Sequence, residues 1–155
     1  MTLLKNDPQL ISFFMKKLKE VSEYVADKLI ELNKDTIQEV VYDVYEPTVY
    51  QRSPEPFSFK NAWDKEVKSS QQTIEIKMYY APEKMGEHTS IYGEDIRDIL
   101  ADIIYQGLAG NFPFNNGGAW TRPRDAFSKL GDKLGKSELD NLIKEGMNQA
   151  GLQII

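Results

Sequence analysis

The chain has little of the chemistry that enzymes and metal sites use. Its 155 residues include no cysteine and a single histidine, His88. A thiolate nucleophile, a cysteine-rich zinc site, a paired-histidine metal site and a disulfide framework are therefore excluded. The sequence also has no glycine-rich phosphate loop, no HExxH and no GxSxG. We expect no enzyme, no cofactor and no metal ion.

Clustered charge of one sign is also scarce. The chain has 24 acidic and 19 basic residues, a net charge of −5, and no block of lysine and arginine that would neutralise nucleic-acid phosphates. One acidic group, formed by Glu94, Asp95 and Asp98 with His88, leaves a hydrolase open as an alternative. Acids in the first turn of a helix are the more ordinary interpretation.

No apolar run is long enough for a membrane span. Near the start of the sequence, Lys16, Lys17, Lys19 and Glu20 interrupt the apolar residues, so we predict neither a secretory signal nor a span. We expect a soluble protein made in the cytoplasm. The length suits one domain, residues 1–155, with an N-terminal helix over 1–34 and an α+β body over 35–155.

The N-terminal helix is the clearest periodic element. Asp7 and Pro8 are typical of a helix start, and apolar residues then recur every three or four positions until the helix ends near Asn33. The stripe comprises Ile11, Phe14, Leu18, Val21, Val25, Leu29 and Leu32. It packs either on its own domain or partly on a neighbouring copy.

The remaining pattern predicts an α+β fold, with a small antiparallel sheet packed by several helices. A second helix opens at Asp35 and ends before Pro47, and a hairpin follows over 62–68 and 72–80. Later helices are predicted over 94–106, from Pro123 to Gly135 and from Ser137 to Gly151, with a terminal strand over 152–155.

Two loops carry exposed-prone aromatic residues. The first, stiffened by prolines, holds Tyr45, Tyr50, Arg52 and Phe57. Its aromatic side chains either form a contact surface or cover the edge of the core. The second loop, rich in glycine and asparagine, holds Phe112, Phe114 and Trp120, and we predict that it is a second contact surface.

The order of these features resembles the minor structural proteins at the head-to-tail junction of tailed bacteriophages, known as neck, joining or tail-completion proteins. Members show a helix that runs into Tyr-x-x-Tyr-x-Pro-x-x-Tyr-x-Arg. Ser53 and Pro54 then depart from the family's Thr-Gly. Residues of this chain in matching positions are Tyr42, Tyr45, Pro47, Tyr50, Arg52, Phe59, Trp63, His88, Ser90, Gly93, Arg122, Arg124 and Phe127.

The resemblance implies a ring-forming virion protein, six-fold by analogy, which is assembled in the host cytoplasm. Its partners would be copies of itself, the connector or stopper protein, and the tail terminator or tail-tube protein. Double-stranded DNA would pass through the ring without specific binding, beside an acidic wall, and no membrane is implied. The predicted protein interface comprises Tyr45, Tyr50, Arg52, Phe57, Phe59, Trp63, Phe112, Phe114, Trp120, Arg122 and Arg124.

A ring needs two different contact patches on each subunit, and the two loops with the long helix supply candidates. The alternative from another class is a cytoplasmic α+β protein-binding module, a regulator or inhibitor, that uses the tyrosine-rich loop.

Overall fold

The computed structural model describes residues 7–44, 58–70, 73–88, 92–107 and 123–152. Helix α1 (Pro8–Ile37) continues into a π-helical turn (Gln38–Tyr42). A short 3-10 turn (Phe59–Asn61) leads into strands β1 (Trp63–Ser69) and β2 (Ile74–Tyr80), and a second 3-10 turn (Pro82–Lys84) follows. Helices α2 (Arg97–Gln106) and α3 (Ala126–Gln149) complete the described elements. The predicted α+β class is confirmed.

Helix α1 begins as the sequence predicts. The Asp7 side chain accepts a hydrogen bond from the Gln9 backbone N–H at 2.8 Å, which satisfies one of the donors that a helix start leaves unpaired. Pro8 stands at the first helical position, where its missing N–H costs nothing.

The separate second helix predicted from Asp35 is wrong, because α1 passes through this point without a break. No glycine or proline interrupts residues 33–37, and Asn33, Thr36 and Ile37 are all fully buried. The Thr36 hydroxyl donates to the Leu32 backbone oxygen at 2.7 Å. Burial of the continued stripe therefore outweighs the local capping signal at Asp35.

The predicted hairpin is confirmed within one or two residues at each strand end. Along β2, half-buried Ile74, Ile76 and Met78 alternate with exposed neighbours, as a strand with one covered face requires. The turn is held by the Ser70 backbone N–H, which donates to the Thr73 oxygen at 2.8 Å.

The two later helices differ in detail from their predicted limits. Helix α2 begins at Arg97 and ends at Gln106, and Gly107 caps it with a φ of 74°, the left-handed value that glycine adopts most readily. Helix α3 bends at Gly135, which has non-helical backbone angles of φ 31° and ψ 172°. The helix end predicted at Gly135 is therefore present as a bend within α3. Of the predicted terminal strand, Leu152 lies outside any strand and 153–155 lie beyond the described residues.

Two compact units divide the chain. The first comprises 1–30, 65–78 and 134–155, and the second comprises 31–64 and 79–133. The core of the first unit contains Val21, Val25, Leu142 and Ala150, with partly buried apolar residues around them. The second unit has an aromatic core, described below.

Candidate interaction surface

The apolar stripe of α1 is covered along only part of its length. Val21 and Val25 are 5% and 3% exposed, whereas Ile11, Phe14 and Leu18 are 50%, 47% and 40% exposed. These three residues, which we call the open stripe, continue the same helical face at spacings of three and four. A face that is core in one half of a helix is thus open to solvent in the other half.

Three lysines and a second phenylalanine lie in the same segment of α1 as the open stripe. Lys16 and Lys19 are exposed, and Lys17 forms an ion pair with Glu20 at 2.7 Å. Phe13 is also half-exposed and packs edge-on against Phe14, with 5.9 Å between the ring centroids. Residues 8–19 contain three lysines and no acidic residue, but Lys16 is two positions from both Phe14 and Leu18 and so lies on the opposite side of the helix from the open stripe.

The covered half of the stripe anchors α1 within the first unit. Gly146 of α3 approaches so closely that a Cβ there would stand 3.1 Å from Val21 Cγ1. The Tyr24 hydroxyl donates to the Glu145 carboxylate at 3.2 Å, and Lys65 pairs with Asp27 at 2.6 Å. These contacts hold the second half of α1, from which the open stripe extends.

The second unit contains a cluster of five aromatic rings, which we call the aromatic cluster. Phe59, Trp63, Tyr80, Tyr105 and Phe127 contact one another with centroid separations from 5.1 Å, for Trp63 and Phe127, to 6.3 Å, for Trp63 and Tyr105. Such edge-to-face and tilted pairs add to the energy of simple area burial. The cluster joins β1, β2, α2 and the start of α3.

Two predicted interface residues belong to this cluster. Phe59 is 2% exposed and Trp63 is 4% exposed, so both rings lie in the interior of the second unit. The aromatic cluster reaches solvent at Phe127, which is 44% exposed. An interface contact by Phe59 or Trp63 stays a prediction.

Three buried polar groups of the second unit have no hydrogen-bond partner within the described residues. They are both amide atoms of Asn33, the Trp63 indole nitrogen Nε1 and the Tyr105 hydroxyl. Burial raises the pKa of the Tyr105 and Tyr80 hydroxyls, and nearby carboxylates add to the effect. The Tyr80 hydroxyl donates a hydrogen bond to the Arg97 backbone oxygen at 2.6 Å.

The sequence pattern did not lead us to predict that the side chain of Asn33 is buried. Asn33 stood at the expected end of the first helix, where an exposed polar side chain is ordinary. The only available signal was its spacing of four from Leu29 and Ile37, which places it on the apolar face.

Arg124 is the other predicted interface residue that the structure describes. Its guanidinium donates to the Val41 backbone oxygen at 3.1 Å, and its backbone N–H donates to the Ile104 oxygen at 3.0 Å. Arg124 thus bonds to two other segments of its own unit. The remaining predicted interface residues lie outside the described residues: Tyr45, Tyr50, Arg52, Phe57, Phe112, Phe114, Trp120 and Arg122.

The acidic group near the start of α2 forms local contacts. Asp95 pairs with Arg97 at 2.6 Å, and this hydrogen-bonded partner lowers the pKa of the carboxyl to about 2. His88 Nδ1 lies 3.0 Å from the Gly86 oxygen. In the described parts of the chain, no three acidic or histidine side chains converge in a way that could hold a metal ion.

Comparison with known proteins identifies a family. The model of the YomN family matches residues 6–149, which is nearly the whole sequence. The chain belongs to the YomN family. The family name derives from a Bacillus phage and points to a phage-associated protein. No curated protein and no solved structure matches this YomN-family chain. None of its described helices is long and apolar enough to cross a membrane.

Proposed function

We propose that this YomN-family protein is a structural component of a tailed-phage virion. Its position is the head-to-tail junction, where copies form a neck or tail-completion ring between the head connector and the tail. The role is structural rather than catalytic, and double-stranded DNA passes through the ring without specific binding. Assembly takes place in the host cytoplasm.

The observation that carries the proposal is the open stripe, found on a chain that belongs to a phage-associated family. Apolar helix faces of this kind are ordinarily buried, because full burial of an apolar side chain is favourable by roughly 1.5–3 kcal/mol and a half-exposed one forgoes part of this. A virion subunit buries such a face when it joins its neighbours. The motif order over residues 42–63, which resembles neck proteins, gives the more specific location.

The excess of acidic residues is compatible with a channel for DNA. A net charge of −5 per copy, repeated around a ring, repels phosphates weakly and gives the duplex no site to hold it. The expected result is no binding of duplex DNA by the purified protein at low salt. Tight and salt-sensitive binding would contradict this part of the proposal.

A deletion phage tests the proposed location. Removal of the gene should leave filled heads and separate tails in electron micrographs, and expression of the chain from a plasmid should restore joined particles. Antibody against the chain should label the junction of wild-type virions. Normal joined particles without the gene, or absence of the chain from purified virions, would contradict the proposal and favour the cytoplasmic binding module.

A further inference from the structure

The hairpin has two outer edges, and the chain protects them differently. In the described residues the sheet consists of β1 and β2 alone. On the covered face of β1, Lys65 pairs with Asp27 of α1 at 2.6 Å, and an inward charge of this kind discourages the addition of another strand. The outer edge of β2 over 74–78, which we call the β2 edge, has neither an inward charge nor a proline.

The backbone groups at the β2 edge follow from the hydrogen bonds at the two ends of the hairpin. The Ser70 N–H donates to the Thr73 oxygen at 2.8 Å, and the Ala81 N–H donates to the Ala62 oxygen at 2.9 Å. In an antiparallel pair, residues that bond to the facing strand alternate with residues whose backbone groups point away. The even-numbered residues from 74 to 78 therefore direct their N–H and C=O groups outward. Among the described residues no further strand pairs with them.

Two opposite charges lie on the exposed face of β2. Glu75 and Lys77 are both exposed, and one residue separates them. Beside them on β1, Lys68 and Glu66 form an ion pair with each other at 3.0 Å. Glu75 and Lys77 form no ion pair within the part of the chain that the structure describes.

The β2 edge is complementary to itself. An antiparallel pairing of two copies about Ile76 places Glu75 of each copy directly opposite Lys77 of the other, and Ile74 opposite Met78. The outward backbone groups then meet as hydrogen-bonded pairs. Glu75 and Lys77 fall at the intervening positions, where the Cα atoms are only about 4.5 Å apart and the side chains are closest.

Other registers lose this match. Centring the pair on Glu75 places two glutamates opposite each other, and centring it on Lys77 does the same with two lysines. Like charges directly opposite each other are destabilising. A slip by one residue would set the covered face of one copy beside the exposed face of the other. Within β2, only the register centred on Ile76 brings Glu75 opposite Lys77.

We infer that two copies of the free protein pair through their β2 edges, antiparallel about Ile76, to form one four-stranded sheet. The pairing gives hydrogen-bond partners to the outward backbone groups. It also covers more of Ile74, Ile76 and Met78, which are half-buried in the single chain. The cross-strand charges fix the register.

This pairing goes beyond the proposed function. Two copies joined in this way are related by a two-fold axis. A ring that meets the head connector on one face and the tail on the other has no such axis between its subunits. The pair is therefore a state of the free protein before assembly.

Cysteine cross-linking tests the register, because the chain has no cysteine of its own. Purified Glu75→Cys and Lys77→Cys proteins are mixed under mild oxidation. The mixed pair brings the two thiols to opposite positions, within the distance that a disulfide spans, and keeps one Glu75–Lys77 contact. The expected mixed disulfide exceeds by about fivefold or more the yield from Glu66→Cys with Lys77→Cys, a control on the same exposed face.

Two results of this experiment overturn the inference. The first is a mixed yield equal to that of the Glu66→Cys control. The second is efficient disulfide formation by Glu75→Cys alone or by Lys77→Cys alone, since each would place a residue opposite itself and so require a different register.

Charge exchange gives an independent measurement by sedimentation velocity. Glu75→Lys and Lys77→Glu should each weaken self-association roughly tenfold at low salt, because both contacts become repulsive. A chain with both changes has opposite charges facing again and should associate like the wild type. A wild-type chain that is monomeric at high concentration, or a double variant as weak as the single ones, overturns the inference.

The predicted terminal strand over 152–155 is the competing occupant of the β2 edge. A chain that ends at Leu152 distinguishes the two. If the shortened chain pairs and the full chain does not, the edge belongs to the chain's own end and the inference is overturned. Equal pairing by both chains supports it.

Failure of the inference can be told apart from failure of the proposed function. A chain that pairs with the expected cross-link but is absent from virions keeps the β2 pairing and loses the neck role. A chain found at the virion junction that gives no such cross-link in solution keeps the neck role and loses the pairing.

Discussion

Gly146 and Val21 touch across the core of the first unit, so closely that any side chain on Gly146 would meet Val21. A Cβ at this position would stand 3.1 Å from Val21 Cγ1, and 3.2 Å from both the Val21 backbone oxygen and Tyr24 Cδ1. One of the three close atoms belongs to the backbone of a helix, which cannot move aside as a flexible side chain can.

Gly146→Ala should therefore lower the free energy of unfolding by about 1–3 kcal/mol, the usual cost of overpacking a core. Gly131→Ala in the same helix is the matched control, since nothing lies within 4 Å of its added methyl group. The control should raise stability by about 0.5–1 kcal/mol through helix propensity. Urea denaturation measures both. Equal effects of the two substitutions would show that the close approach is absent.

Asn33 should be a site where an apolar side chain stabilises the protein. Both atoms of its buried amide have no hydrogen-bond partner within the described residues, and such groups cost roughly 1–3 kcal/mol each. Asn33→Leu should raise the free energy of unfolding by about 1–3 kcal/mol, as measured by thermal and urea denaturation.

Thr36→Val is the control for Asn33. Thr36 is also fully buried on α1, but its hydroxyl donates a hydrogen bond to the Leu32 backbone oxygen. Its loss should destabilise the fold by roughly 0.5–1.5 kcal/mol. A loss of stability in Asn33→Leu as large as in Thr36→Val would mean that the amide has a partner in solution, such as ordered water.

Asp95 should remain ionised far into the acid range. The hydrogen bonds from Arg97 lower its pKa from 3.8 to about 2. Because the folded-state pKa is the lower one, the pair's stabilising effect is complete above about pH 4 and is lost as the pH falls towards 2. Carbon-detected NMR of the Asp95 carboxyl measures the midpoint directly.

In the Arg97→Gln variant, the Asp95 midpoint should return towards its ordinary value. Lys84→Gln removes a cation that pairs with Asp64 and should leave the Asp95 midpoint unchanged. A wild-type midpoint near 3.8, or one that Arg97→Gln does not move, would contradict the ion pair.

Arg124 should contribute to the stability of the fold, in addition to any contact that it makes with another protein. Its guanidinium donates to the Val41 oxygen, and hydrogen bonds from charged groups contribute about 1.5–3 kcal/mol before discount for solvent. Since Arg124 is partly exposed, Arg124→Ala should cost about 1 kcal/mol in urea denaturation. The control is exposed Lys129→Ala, which should change stability by less than about 0.5 kcal/mol. Unchanged stability with impaired virion assembly would assign Arg124 to the interface alone.

The amino-acid pattern predicts most of the described elements because each is governed by local rules. Alternation identified β2, the Asp7-Pro8 pair identified the start of α1, and glycines identified the end of α2 and the bend in α3. The second helix was placed wrongly because the capping signal at Asp35 is local, whereas the continuous helix is favoured by the burial of Thr36 and Ile37.

The sequence by itself determined the α+β class, the limits of the hairpin, the long apolar stripe and the absence of cysteine chemistry. Only the tertiary structure decided which half of that stripe is covered, and that Phe59 and Trp63 lie inside an aromatic core. The periodicity of the sequence shows that one face of the helix is apolar. Whether that face is buried depends on which distant segment packs against it. That packing is a property of the folded chain, so Val21 is buried while Leu18, on the same face, is open.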